Sequence, residues 1–293
     1  MIALVFALAA VAATQQDDFD KVEVTSAKVA DGIYMLNGRG GNIGVSVGED
    51  GVLLIDDQYA PLTTKIRAAV VSLTPQPIRF VLNTHWHGDH TGGNENLGKA
   101  GIVIVAHENV RKRMSVEQFM AAFGNKVPAS PKVALPIITF ADSVSFHLNG
   151  EDIDAFHVAP AHTDGDTVVR FKKANVVHMG DCFFNGMYPF IDLSSGGSFE
   201  GMIAAADKGL SLVDANTKII PGHGPLGDKA ALQAYRDVLA AIRDRVKPMV
   251  AAGKTLDEVK AAQPTKDFDA KWGAGFMKAD VFIAIVYQSL KGN

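Results

Sequence analysis

The sequence contains one cysteine, Cys182, so no disulfide can close within the chain. Thiolate-cluster zinc modules and iron–sulfur centres, which need several cysteines, are excluded with it. Basic charge is also scarce. The 28 Lys+Arg stand against 32 Asp+Glu, a net charge of −4, and the densest basic run is the short Arg111-Lys112-Arg113. A protein that binds nucleic acid by neutralising phosphates needs a basic face, so no nucleic-acid partner is expected. Long apolar runs are missing apart from the first stretch, Met1 to Ala13 (MIALVFALAAVAA), which Gln15-Gln16-Asp17-Asp18 follows abruptly. That run is shorter than the roughly 20 residues that span a bilayer. It matches the apolar core of a secretory signal, with Ala10-Val11-Ala12 as an A-x-A cleavage site, although no Lys or Arg precedes it. The alternative is an N-terminal core strand or helix. The expectation is a leader at 1–13, a periplasmic or secreted protein, and no stable membrane insertion once the leader is removed. With 47% hydrophobic and 20% charged residues, the rest reads as a globular chain long enough to bury a core. No long linker or short repeat divides it, and 17–293 is read as one domain.

Period-2 apolar patterns predict paired strands from Val22 to Val47, broken at the glycine-rich turn Asn37-Gly38-Arg39-Gly40-Gly41-Asn42. Gly51 to Ile55 reads as a buried strand ending in acid at Asp56. Thr63 to Leu73 reads as a helix, with Ile66, Ala69, Val70 and Leu73 on one face, stopped by Thr74-Pro75. Further strands are expected at Ile78–Leu82, Ile102–Val105, Ile137–Phe140, Ser143–Leu148, Ile153–Val158, Thr167–Phe171, Val176–Met179 and Lys218–Ile220. Helices are expected at Glu108–Phe123, Gly201–Val213, Lys229–Ala252, Leu256–Gln263 and Lys278–Leu290. Strands joined both by hairpins and by helices imply an α/β or α+β fold, sheet layers covered with helices.

Nine histidines occur, and three of them, His85, His87 and His90, fall within six residues, with Asp89 between the last two. Core packing asks for nothing of the kind. Lone histidines are usually satisfied core or surface residues, and His107, His147, His157 and His178 are read so. A cluster of neutral imidazoles at the end of an apolar strand is costly to bury without a cation for the lone pairs. In extended chain, residues i and i+2 project to one side, so His85 and His87 can grip one ion. Asp89 and His90, past Gly88, then face a second. Three later turns repeat the pattern of strand, glycine-rich turn and potential ligand: Ala161-His162-Thr163-Asp164-Gly165-Asp166, Met179-Gly180-Asp181-Cys182, and Pro221-Gly222-His223-Gly224. Five imidazoles and two carboxylates suffice for two ions with room for water.

The string His85-x-His87-x-Asp89-His90, followed by His162, Asp181 and His223 in these contexts, resembles the metallo-β-lactamase fold superfamily over essentially the whole chain after the leader. The resemblance implies a four-layer αββα sandwich with a binuclear site at one edge of the paired sheets. It implies His85, His87 and His162 as ligands of the first metal, Asp89, His90 and His223 of the second, and Asp181 as the bridging carboxylate. Two divalent ions are implied as cofactors, most simply Zn2+, although imidazole and carboxylate also accept Fe or Mn. The implied chemistry is hydrolysis of a small-molecule ester, lactone, thioester or β-lactam by a water that two metals deprotonate. Asp89 is implied as the catalytic residue that orients this water or shuttles its proton.

The ligand set resembles glyoxalase-II-type hydrolases more than the cysteine-ligated lactamases. Cys182 adjoins Asp181 and aligns equally with the lactamase cysteine. Neighbouring strand residues point to opposite faces, so only one of the two can ligate, and Asp181 is favoured because His90 already completes the second site. Three residues beyond that cysteine lactamases carry a drug-binding lysine, and here the position is Asn185, which argues against efficient β-lactam hydrolysis. The concentration of basic C-terminal residues that carrier-type glyoxalases use is also missing from Trp272 to Tyr287. Asp56 and Asp57 read equally as acids behind the ligands or as capping and surface charges. Phe183 to Phe190, with Tyr59, Trp86, Phe119 and Phe123, read equally as an apolar mouth or as core. Two alternatives remain: an iron-dependent sulfur-oxidising dioxygenase of the same fold, and a phosphodiesterase, which the acidic balance disfavours.

Overall fold

Gly51–Ile55 (GVLLI) is buried along its whole length, which requires apolar cover on both faces of its sheet. The cover is visible in how its side chains divide. Leu53 and Ile55 join a cluster with Ile153, Ala155, Val169 and Phe171 of a second sheet. Val52 and Leu54 instead meet Leu62, Ile66 and Val70 from the helix side. In this computed structural model residues 18–292 are described. The expected leader at 1–13 lies outside them.

The first sheet has seven strands in the order Thr25–Ala30, Ile33–Asn37, Ile43–Gly48, Gly51–Ile55, Ile78–Asn83, Val103–His107 and Ile138–Phe140. Its first four strands are an antiparallel meander, and the last three add in parallel. The second sheet runs Ser143–Leu148, Glu151–His157, Thr167–Phe171, Val176–His178, Lys218–Ile220 and Gly227–Asp228. The inner faces of the two sheets share one apolar layer. Outside the first sheet lies the helix Thr63–Leu73. Outside the second lie Phe199–Leu212, Lys229–Ala251 and Ala279–Lys291, packed through Phe199, Met202, Leu232, Tyr235, Leu239 and Phe282. This is the four-layer αββα sandwich that the sequence implies.

Parallel pairing positions the site. Gly51–Ile55 and Ile78–Asn83 run in parallel, and so do Val176–His178 and Lys218–Ile220. Their carboxyl ends therefore emerge on one edge of the sandwich, the usual place for a ligand crevice in such sheets. Asp56, Thr84 to His90, Asp181 and His223 all follow those ends directly.

Two expectations need correction. The helix that starts at Glu108 ends at Met114, not Phe123, and a hairpin of Gln118–Met120 with Asn125–Val127 follows. The Gln118 side-chain amide donates to the carbonyls of Arg113 and Val116, taking acceptors that a continuing helix would use, and Gly124 turns the hairpin at φ +62°. An unexpected helix, Lys266–Trp272, lies in the C-terminal stretch and buries Trp272. Among the described residues no helix is long and apolar enough to cross a membrane.

The shared layer between the sheets carries a direct test. Leu53 is fully buried there, so Leu53→Ala should cost about 2–5 kcal/mol in urea unfolding. Val71→Ala, at a position 71% exposed, should stay within about 0.5 kcal/mol. Equal effects of the two changes would contradict the layer assignment.

Candidate metal centre

His85, His87, His90 and His162 are buried to within 5% of full cover, a dense burial of polar rings. Each ring is pinned by a donor–acceptor chain that decides which nitrogen carries the proton. Asp56, at a strand end with φ +68°, accepts from the Thr84 backbone N–H and hydroxyl. With its hydrogen so committed, the Thr84 hydroxyl can only accept from His85 Nδ1 at 3.0 Å. Asp56 also accepts from His90 Nδ1 at 2.7 Å. His87 donates from Nε2 to Asp192 at 3.0 Å, and His162 donates from Nδ1 to the Phe190 carbonyl at 2.8 Å.

On His85, His87 and His162 the remaining nitrogen is thus a lone pair aimed inward. His162 Nε2 and His87 Nδ1 face each other at 2.8 Å, two acceptors with no proton between them. His85 Nε2 is buried with no hydrogen-bond partner, and the buried Asp181 Oδ1 has only the approach of His90 Nε2. Such convergent unpaired acceptors are costly unless a cation sits among them. The residues present therefore fit a metal on their own chemistry.

Three groups of donor atoms gather within 4.8 Å: His85 with His87 and His162, His85 with His90 and Asp181, and Asp89 with His90 and His223. Asp181 lies between the outer two. Its Oδ2 is 3.4 Å from His162 Nε2, 3.4 Å from His223 Nε2 and 3.9 Å from His85 Nε2, while its Oδ1 is 3.1 Å from His90 Nε2. Asp89 Oδ2 is 3.3 Å from His223 Nε2 and 3.6 Å from His90 Nε2. All seven residues singled out in the sequence thus meet in one place, and Cys182 stands apart. It is buried in the core behind the second sheet. The physical reason differs from the expected strand alternation, since Gly180–Cys182 is a 3-10 turn.

Electrostatics divides the rings into two kinds. Burial, aided by neighbouring His90, pushes the His85 imidazole well below its usual range. Burial also takes His162 down to about 4. Burial opposes charge on His90 and His223 as well, but carboxylates outweigh it there. Asp181, Asp89 and Asp56 raise His90 well above the usual range, and Asp181 and Asp89 raise His223 to about 9. Asp89 is desolvated yet held near 2 by His90 and His223. His85 and His162 are thus held neutral, while His90 and His223 hold positive charge in place of a cation.

Backbone approaches this cluster too closely for side chains at two glycines. A Cβ on Gly222 would lie 2.0 Å from Asp181 Oδ1, and one on Gly41 would lie 2.1 Å from the His90 ring. The supporting acids are buried, so the surface-charge reading of Asp56 and Asp57 is wrong; Asp57 accepts from the Gly93 N–H. Sequence reasoning missed Asp192, the partner of His87, because nothing in Phe190-Ile191-Asp192-Leu193 distinguishes it from a capping acid. It also missed Asp166, which accepts from the backbone N–H groups of His162 and Thr163; the close repeat of acids in Thr163-Asp164-Gly165-Asp166 was the available signal. The aromatic reading divides. Tyr59, Trp86, Phe123 and Phe190 line the cavity over the site, whereas Phe183, Phe184 and Tyr188 are fully buried core and Phe119 is 56% exposed.

A family model described as the metallo-beta-lactamase superfamily matches residues 36–252. The chain belongs to that superfamily. Relatives of this superfamily member include a Nitrosococcus oceani protein named hydroxyacylglutathione hydrolase, 28% identical over 193 residues. That match covers 65% of this chain and 62% of the relative, so the chain spans about three-fifths of that relative's length. An Erythrobacter litoralis protein of the same name is 25% identical over 218 residues, covering 67% of this chain and 74% of the relative. Among solved structures, a metallo-beta-lactamase from Pontibacter korlensis superposes with a TM-score of 0.59 at 18% identity, covering 74% of this chain and 99% of that one. At that identity the likeness concerns the fold alone.

His178, behind the site, offers a pH test. It donates from Nε2 to the Asn42 carbonyl and accepts the Gly180 N–H at Nδ1, and burial lowers its pKa to about 4. The folded state therefore resists a proton that the unfolded state takes up near pH 6.5, and stability contributed above that pH is lost on acidification. His178→Gln should narrow the stability difference between pH 7 and pH 5 by about 2 kcal/mol. An unchanged difference in urea titrations at the two pH values would refute the neutral assignment.

Proposed function

We propose that this chain is a binuclear metal-dependent hydrolase that opens an ester or thioester bond of a small molecule. The observation that carries the reading is the position of Asp181, whose two oxygens lie between the His85/His87/His162 group and the Asp89/His90/His223 group. The first three histidines would hold one ion, Asp89, His90 and His223 the other, and Asp181 both. Bound there, two divalent ions, Zn2+ on this donor set, supply a deprotonated water at neutral pH and polarise the substrate carbonyl.

The chain's own residues supply the rest. Asp192, Asp56 and the Phe190 carbonyl fix the rings so that no reorganisation is needed during the reaction. Asp89 lines the cavity and its carboxylate stays ionised, so it orients the attacking water by accepting its hydrogen bond rather than by storing a proton. Trp86, Phe123 and Phe190 wall the cavity and present apolar surface to the substrate. The hydroxyacylglutathione hydrolases among the relatives support a thioester or ester. Asn185 stands where lactamases carry a lysine, and its amide is bonded to the Pro225 carbonyl. That placement disfavours β-lactams. Export to the periplasm belongs to the same proposal and rests on the apolar Met1–Ala13 segment.

Metal analysis of the purified protein should find two divalent ions per chain, falling to about one in Asp181→Asn. Asp89→Asn should keep its circular-dichroism spectrum and lose about 10²- to 10³-fold in kcat on a panel of esters and thioesters. A single redox-active iron with oxygen uptake would replace this reading by the oxidative one. Turnover of phosphodiesters alone would replace it by the phosphodiesterase.

A further inference from the structure

The cavity above the metal centre encloses about 520 Å³, a volume suited to a small acyl compound rather than to a macromolecule. Its wall continues the histidine cluster with aromatic rings. Phe190 lies 5.8 Å from the His87 ring and 5.7 Å from that of His162, Trp86 lies 4.9 Å from His87, and Phe276 lies 6.2 Å from His223. Phe123 of the hairpin, 57% exposed, packs on Phe190 at 5.0 Å with the rings tilted by 48° and extends the wall to the rim. Apart from Asp89, Asp181 and the histidines, the one ionisable group of opposite sign on this wall is Arg39.

Arg39 is already engaged. Its guanidinium pairs with Asp18 and lies 4.7 Å above the Phe19 ring, which in turn packs on Tyr59 at 5.4 Å. The segment that carries Asp18 and Phe19 is itself anchored, because Lys65 Nζ donates to the carbonyls of Phe19, Asp20 and Val22. Beyond the ions that the hydrolase reading places at the floor, where the ester carbonyl would bind, an anionic tail along this wall would lose hydration and find no uncommitted cation among the described residues lining it. An apolar tail would gain from each methylene it removes from water.

We propose that the substrate places an uncharged apolar acyl group against this aromatic wall, and that Asp18 enforces the preference by neutralising Arg39. This rests on the hydrolase reading above and specifies its substrate class. Asp18 acts at a distance from the reacting atoms, as a residue that sets specificity through Arg39.

The test compares 4-nitrophenyl acetate, butyrate and hexanoate with mono-4-nitrophenyl adipate, which matches hexanoate in carbon count but ends in a carboxylate. On the metal-loaded full chain, kcat/KM should rise about threefold per methylene from acetate to hexanoate. The adipate ester should fall about 30-fold below hexanoate. Asp18→Asn should recover the adipate ester by about fivefold and leave hexanoate within about twofold, since it frees one exposed charge pair. A flat response to chain length, adipate equal to hexanoate, or Asp18→Asn moving both esters alike would overturn the proposal. A second readout needs no turnover. Saturation-transfer NMR should detect hexanamide on the protein, with binding weakened several-fold in Phe123→Ala. If no ester is cleaved, the hydrolase reading fails while hexanamide binding upholds the apolar site; no binding of hexanamide overturns the site itself.

Discussion

Four buried imidazoles with their protons pinned outward set the terms for the rest of this molecule. Asp56, Asp192, the Thr84 hydroxyl and the Phe190 carbonyl each hold an N–H; the opposite nitrogens of His87, His85 and His162 present lone pairs inward, and that of His90 faces the Asp181 carboxylate. The 2.8 Å approach of His87 Nδ1 to His162 Nε2 is repulsive between neutral rings so oriented and attractive only around a cation. The arrangement makes sense as a binding site built before its ligand arrives, with the cost of ordering already met by the sandwich.

That prior ordering explains features that are otherwise unrelated. Asp56 and Gln58 hold positive φ of 68° and 55° at the strand end behind His90, a backbone strain that non-glycine residues tolerate where surrounding contacts fix it. Asp56 is fixed by Thr84 and His90, and Gln58 by its bond to the Gly41 carbonyl. Gly41 and Gly222 let two chain segments pass against His90 and Asp181 where any Cβ would collide. The Asn42 side chain ties these two segments together, donating to the carbonyls of Pro221 and Gly224 across the two sheets. The edge where the strands end is therefore one frame around the proposed pair of ion sites, with the carboxylate of Asp89 at the cavity side.

The sequence discloses the site and the sheets unevenly, for physical reasons. His85, His87, Asp89 and His90 are legible because a polar run straight after an apolar strand has no packing explanation. His162, Asp181 and His223 are legible because each repeats the strand-then-glycine pattern. Local periodicity also suffices for helices such as Lys229–Ala251, whose buried face recurs over about four turns from Leu232 to Val246. The hairpin Gln118–Val127 escapes it, because Glu108 to Phe123 has helix-compatible spacing and the local side-chain bonds by which Gln118 takes the Arg113 and Val116 carbonyls leave no mark on that spacing. Asp192 escapes for a related reason: its role depends on a partner 105 positions away in the chain. Neither Asp18 nor Arg39 carries a motif, and only the fold brings them to the cavity mouth.

The most direct measurement is thermal unfolding of the full chain before and after chelation, followed by re-addition of Zn2+. If the convergent lone pairs form a cation site, binding to the folded state alone adds stability in proportion to the logarithm of metal concentration. Tm should then fall by about 10 °C or more on chelation, return with Zn2+, and keep rising with metal excess. A Tm that ignores both chelator and metal would mean that the rings are satisfied by protons, and the account of this centre would be wrong.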